Sequence, residues 1–117
     1  MEFSTILFDV MENGVATITL NRPESFNSFN DTHIGDVLAA CKLAEEDDNV
    51  RVLVLTGAGK SFSAGGDAGM LATMKTSFDA RYIFDRSALL LKTIYNFPKP
   101  VIAAVNGVAA GAATGCT

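Results

Sequence analysis

The chain has no tryptophan, one histidine, two cysteines and three prolines. Each scarcity removes a class of function. Cys41 and Cys116 form no Cys-x-x-Cys pair, and no His/Cys/Asp/Glu cluster has metal-ligand spacing, so no metal site is expected. Cys41 falls on the apolar stripe of a predicted helix and reads as a buried thiol, a usage that suits a reducing compartment. His33 sits in the first turn of that helix and reads as a packed or solvated side chain rather than a catalytic base. Basic residues are few: nine Lys and Arg stand against thirteen Asp and Glu, a net charge of -4. With no basic run to neutralise phosphates, a nucleic-acid partner is not expected. Long apolar runs are missing too. The stretch from Val101 to Ala113 is interrupted by Asn106 and Gly107 and falls short of the ~20 residues that span a bilayer. Glu2 and Asp9 are at odds with a signal peptide. A cytoplasmic protein with no membrane contact is the expectation.

What remains is a chain of 117 residues, 49% of them apolar, enough for one modest core over residues 1–117. Phe3 to Val10 and Val15 to Leu20 read as strands around the Asn13-Gly14 hairpin signal. On the second, Val15, Thr17 and Thr19 share one face and Ile18 and Leu20 the other. Pro23 ends the ladder. Asn30 or Asp31 can cap a helix to about Glu46, whose Ile34, Val37, Leu38, Cys41 and Ala44 form one apolar stripe. Arg51 to Thr56 and Val101 to Val105 are apolar runs of the kind buried on both faces of a parallel sheet. Gly57 to Ser61 reads as a loop. A short helix is expected after Asp67, and a longer one from about Ser77 to Asn96, capped by Thr76 or Ser77 and stopped by Pro98 and Pro100. A last helix opens near Gly111, and Thr117 falls too early for it to be stable alone, so a truncation there, or completion from elsewhere, is expected. The order β-β-α-β-α-β is an α/β layout.

Three motifs fail. A P-loop around Gly59-Lys60-Ser61 needs glycine where Val54 stands. A dinucleotide Gly-x-Gly-x-x-Gly has Phe62 at its third glycine. A nucleophile elbow at Ser61 has Ser63 where glycine belongs.

Two glycine-bearing segments survive, each after an apolar run: Ser63 to Asp67 and Asn106 to Ala113. Small residues admit a ligand close to the backbone, and a helix opening after such a loop presents unpaired N–H groups to negative charge. Two such groups converging make an oxyanion hole. Spacing alone leaves open that both segments are only tight turns and helix entries.

Several stretches, in order along nearly the whole chain, resemble the crotonase superfamily, the enoyl-CoA hydratase/isomerase family. They are Leu20-Asn21-Arg22-Pro23-Glu24, Asn27-Ser28-Phe29-Asn30, Leu55-Thr56-Gly57-Ala58-Gly59, Phe62-Ser63-Ala64-Gly65-Gly66-Asp67 and Lys99 to Gly107. Met1-Glu2-Phe3 and Asn27 to Asp31 are similar to the ring-epoxide isomerase branch of phenylacetate breakdown. The resemblance implies the N-terminal part of a crotonase-like ββα spiral core. It implies a coenzyme A thioester as substrate, no tightly bound cofactor, and assembly as a homotrimer or hexamer.

By motif position the resemblance makes the N–H groups of Gly66 and Ala112 the two oxyanion donors. Alanine replaces the family's usual glycine at the second position and keeps the N–H. The coenzyme A arm is expected near Ser25 and Phe26 and along Ala64, Gly65, Asp67 and Ala68. Arg22 and Lys60 stand as candidate phosphate partners, with solvated surface charges the equal alternative. Asp67 is expected to cap the following helix. Gly115 stands where family hydratases carry their first catalytic glutamate, and the second would fall past Thr117. The resemblance therefore supports either hydration or double-bond isomerisation, or else a catalytically incomplete binder of CoA esters.

Overall fold

The computed structural model describes residues 3–63, 65 and 76–109. Strands β1 (Ile6–Val10) and β2 (Val15–Leu20) form the expected hairpin, with Gly14 supplying the positive φ of its turn. A 3-10 turn over Pro23–Ser25 leads to α1 (Asp31–Glu46), then β3 (Val52–Gly57), β4 (Ser61–Ser63), α2 (Ser77–Tyr95), β5 (Val101–Ala104) and β6 (Val108–Ala109). One sheet has the order β1-β2-β3-β5, and a second, two-stranded sheet pairs β4 with β6. β1 is antiparallel to β2, whereas β2–β3 and β3–β5 are parallel, as helical crossovers require.

The helix ends follow local chemistry. Asn30 Oδ1 accepts the main-chain N–H of His33 at 2.8 Å, and Thr76 Oγ1 accepts that of Asp79 at 3.1 Å. The acidic exit of α1 is offset by a cation. Lys99 Nζ donates to the Ala44 and Asp47 carbonyls, both at 2.8 Å, where the helix leaves its last acceptors unpaired. Asp36 ties α1 to the approach to β1, its Oδ2 accepting the N–H and hydroxyl of Thr5 at 3.0 and 2.7 Å.

The core lies between the sheet and the helices. Ala16, Ile18, Leu20, Leu53 and Leu55 face Ile34, Val37 and Cys41 of α1 and Leu90 and Ile94 of α2. The β2 alternation read from the sequence holds, with Ala16, Ile18 and Leu20 buried and Val15, Thr17 and Thr19 half-buried.

Four readings need correction. β1 begins at Ile6 rather than Phe3. β3 and β5 are not enclosed on both faces among the described residues. Leu53 and Leu55 are buried, but Val52 and Val54 are half-buried, and Ile102 is 55% exposed. The helices cover one face, and the cross-strand row Asp9, Thr17, Val54 and Ile102 lies on the other. The loop assigned to Gly57–Ser61 ends in a strand, since Ser61–Ser63 forms β4. The turn after Asn106 likewise continues into β6. The helices expected after Asp67 and from Gly111 lie outside the described residues. Among the described residues no helix is long and apolar enough to cross a membrane.

Candidate functional site

The two glycine-bearing segments emerge from paired strands. β4 and β6 are parallel, with Ser61 opposite Val108 and Ser63 opposite Ala109. Neighbouring strands lie ~4.8 Å apart and these two run the same way, so Ser63 and Ala109 end their strands side by side. In open α/β sheets the crevice beyond the carboxyl ends of strands is where ligands bind. β4 is fully buried.

Glycine is required where these segments cross. A Cβ on Gly107 would strike the Lys60 carbonyl, and one on Gly57 would strike the Ser61 carbonyl. Asn106 fastens the crossing. Its Oδ1 accepts the Gly57 N–H at 3.1 Å, and its Nδ2 donates to the carbonyls of Gly59 at 3.1 Å and Ser61 at 3.2 Å.

Asn27 fastens it from the other side. This residue is fully buried and adopts the left-handed region at φ 55, which Asn tolerates better than most residues. Its Oδ1 accepts the Arg22 N–H at 2.7 Å, closing the turn that contains Ser25 and Phe26. Its Nδ2 donates to the Ala58 and Ser61 carbonyls, both at 2.8 Å. The Ser61 carbonyl thus receives Asn27 and Asn106 together. Buried polar groups satisfied this completely specify one arrangement of the loops around them.

Among the residues expected to hold coenzyme A, Ser25 is half-buried and Phe26 is 62% exposed, at φ 54 in the same left-handed turn. The turn lies against the other loop: a Cβ on Gly59 would sit 3.1 Å from Pro23 Cβ. Gly65 is buried, at φ 91, and its carbonyl accepts the Phe29 N–H at 2.6 Å. Ala64, Gly66, Asp67, Ala68 and Ala112 lie outside the described residues, as does Gly115. Of the expected set, the described residues include Ser25, Phe26 and Gly65, and Gly65 is tied to Phe29, three residues past Phe26. Arg22 Nη1 donates to the Ser28 carbonyl at 2.6 Å, which gives its guanidinium a role inside the turn, while Lys60 is exposed.

His33 is buried, as a packed residue should be, with its ring centroid 5.2 Å from that of Phe29 and both ring nitrogens without a hydrogen-bond partner among the described residues. Burial lowers its pKa to about 4, and the nearby Arg22 charge acts in the same direction. Asp36 and the Thr5 backbone pull the other way, the latter without reaching hydrogen-bond geometry to either nitrogen. A group so placed does not serve as a base for a bound ligand. Among the described residues no group of three or more His, Cys, Asp or Glu could hold a metal ion. A groove of ≈ 590 Å³ lies between α1 and α2, lined by Leu38, Lys42, Glu45, Glu46, Leu89 and Thr93, and shares no residue with either glycine-bearing segment.

Sequence reasoning did not single out Asn27, Ser63 or Asn106 as functional positions. A buried asparagine and an exposed one look alike in sequence. The available signal was the occurrence of all three inside stretches that carry the family resemblance: Asn27 to Asn30, Phe62 to Asp67 and Lys99 to Gly107.

A parallel ladder with helices on one face and two glycine-bearing exits defines the α/β crotonase fold. A crystal structure of an enoyl-CoA hydratase/isomerase from Xanthobacter autotrophicus Py2 superposes with a TM-score of 0.92 at 35% sequence identity, over 98% of this chain and 43% of that one. The family model described as Enoyl-CoA hydratase/isomerase matches residues 10–117, and the chain belongs to that family. It is 42% identical over 120 residues to a 1,2-epoxyphenylacetyl-CoA isomerase of Escherichia coli (strain K12), covering 96% of this chain and 43% of that protein. It is 39% identical over 112 residues to a probable enoyl-CoA hydratase of Rhodobacter capsulatus, covering 96% of this chain and 42% of that protein. The chain thus spans less than half the length of the relatives it matches.

Proposed function

We propose that the protein acts on acyl-CoA thioesters, with the main-chain N–H groups of Gly66 and Ala112 receiving the thioester oxygen as an enolate forms. The observation that carries this reading is the parallel pairing of β4 with β6, which starts both donor-bearing segments from one end of a ladder. Negative charge grows on that oxygen as the α-proton leaves, so two fixed donors stabilise the transition state more than the ground state. Loss of one such donor typically costs ~3 kcal/mol of that stabilisation.

The coenzyme A arm then lies along Ser25 and Phe26 on one side and Ala64, Gly65, Asp67 and Ala68 on the other. The close approach of Pro23 to Gly59 and the bond from Phe29 to Gly65 support this, because they place the two stretches side by side. The reaction is hydration or double-bond isomerisation. Identities of 42% to an isomerase and 39% to a probable hydratase are too close to separate the two, and the ring-epoxide isomerase branch rests on the same comparison. A cytoplasmic homotrimer or hexamer with no tightly bound cofactor is part of the same reading. Gly115, at the position of a family hydratase's glutamate, favours a second reading in which the protein binds CoA esters without turning them over.

Steady-state assays of the intact protein on a short 2-enoyl-CoA and a short 3-enoyl-CoA separate these outcomes. Water addition to the first identifies a hydratase, and double-bond movement in the second an isomerase. Binding without turnover supports the second reading. Neither turnover nor binding of any acyl-CoA would sink both.

A further inference from the structure

Gly65 is gripped at both ends. Its N–H donates to Ser63 Oγ at 3.2 Å, and its carbonyl accepts the Phe29 N–H at 2.6 Å. Ser63 is fully buried, and its hydroxyl also donates to the Asn27 carbonyl at 2.7 Å. One hydroxyl therefore bridges a carbonyl of the 22–29 turn to an N–H of the first glycine-bearing segment. The Asn27 side chain repeats the link through Ala58 and Ser61. The partners are more than thirty positions apart in sequence, so the brace joins two separate stretches.

Covalent geometry gives this brace a direction. A trans peptide is planar, and its carbonyl and N–H point to opposite sides. The Phe29 N–H that holds the Gly65 carbonyl lies just past Asn27, whose carbonyl the Ser63 hydroxyl grips, so this brace fixes how the Gly65 carbonyl is turned. We propose that Ser63 and Asn27 are positioning residues that aim the first oxyanion donor, by fixing Gly65 against the turn that holds the coenzyme A arm. The inference rests on the reading of Gly66 as that donor. Neither side chain touches the reacting atoms. Their effect passes through the Gly65 peptide, and it links seating of the coenzyme A arm to polarisation of the thioester.

Ser63→Ala removes the bridge and leaves little void. The readout is the vibrational band of butyryl-CoA, isotope-labelled at the thioester carbonyl and bound to the intact protein. Hydrogen bonds to that oxygen move the band to lower frequency, which a purely structural role of Ser63 would not alter. The wild-type protein is expected to show the shift and Ser63→Ala to lose most of it. Ser63→Cys, whose thiol offers a weak donor and acceptor at the same place, should recover part of it. An unshifted band in the wild type would overturn the oxyanion reading and this inference with it. A full shift in Ser63→Ala would overturn the inference alone. Should Ser63→Ala fail to fold, Ser63→Cys decides: an intermediate shift supports the brace, and a wild-type shift refutes it.

Discussion

Asn27→Ala should lower the free energy of unfolding by about 4 kcal/mol, a large part of the ~5–15 kcal/mol that stabilises a typical domain. The side chain is fully buried and makes three hydrogen bonds to main-chain groups. Truncation leaves the Arg22 N–H and the Ala58 carbonyl without their side-chain partner, at about 1–2 kcal/mol each. The Ser61 carbonyl suffers least, because Asn106 still donates to it. Alanine at φ 55 adds about 1 kcal/mol, since Cβ crowds the carbonyl in the left-handed region. Asn27→Gly relieves that last contribution only, so it should lie about 1 kcal/mol above Asn27→Ala and still well below wild type. Urea unfolding of the three proteins measures this directly. A loss below about 1 kcal/mol in Asn27→Ala would show that solvent or neighbouring groups replace the hub.

Acid should destabilise the fold through His33. The pKa is lowered on folding, from 6.5 to about 4, chiefly by burial. Between those values the unfolded chain binds the proton and the folded chain does not, so stability rises with pH. The full contribution is present above pH 6.5 and is lost progressively as the pH falls toward 4. Linkage gives a loss of about 2 kcal/mol between pH 7 and pH 5. His33→Leu fills similar space and has no group to titrate, so its stability should lack that component. The stability difference between wild type and variant, followed over this range, isolates the histidine from other groups. A constant difference would mean that His33 is solvated in the folded state.

Local chemistry made the helices legible. Asn30 and Thr76 cap where an Asn and a Thr precede apolar stripes, and the resulting helices end at Glu46 and Tyr95, close to the expected limits. The hairpin was equally plain from Asn13-Gly14. β4 and β6 were not, because three and two residues carry no periodicity and their ladder joins positions well over forty apart. The runs in β3 and β5 were misread for a different reason. An apolar run looks the same whether one face or both are covered, and only the packing of α1 and α2 on one face decided it. At the site, the donor positions came from family resemblance and not from spacing. Asn27 and Ser63 escaped notice because the bonds that join their two stretches span more than thirty residues.

Differential binding tests the enolate reading most directly. Acetoacetyl-CoA and free CoA share the same nucleotide and pantetheine, but only the first offers a thioester that enolises readily. Titrated into the intact protein, acetoacetyl-CoA should bind at least about tenfold more tightly than CoA, equivalent to about 1.4 kcal/mol. Its enolate absorbance should grow in step with saturation. Equal affinities for the two ligands, with no enolate band at saturation, would contradict thioester-enolate stabilisation by this protein.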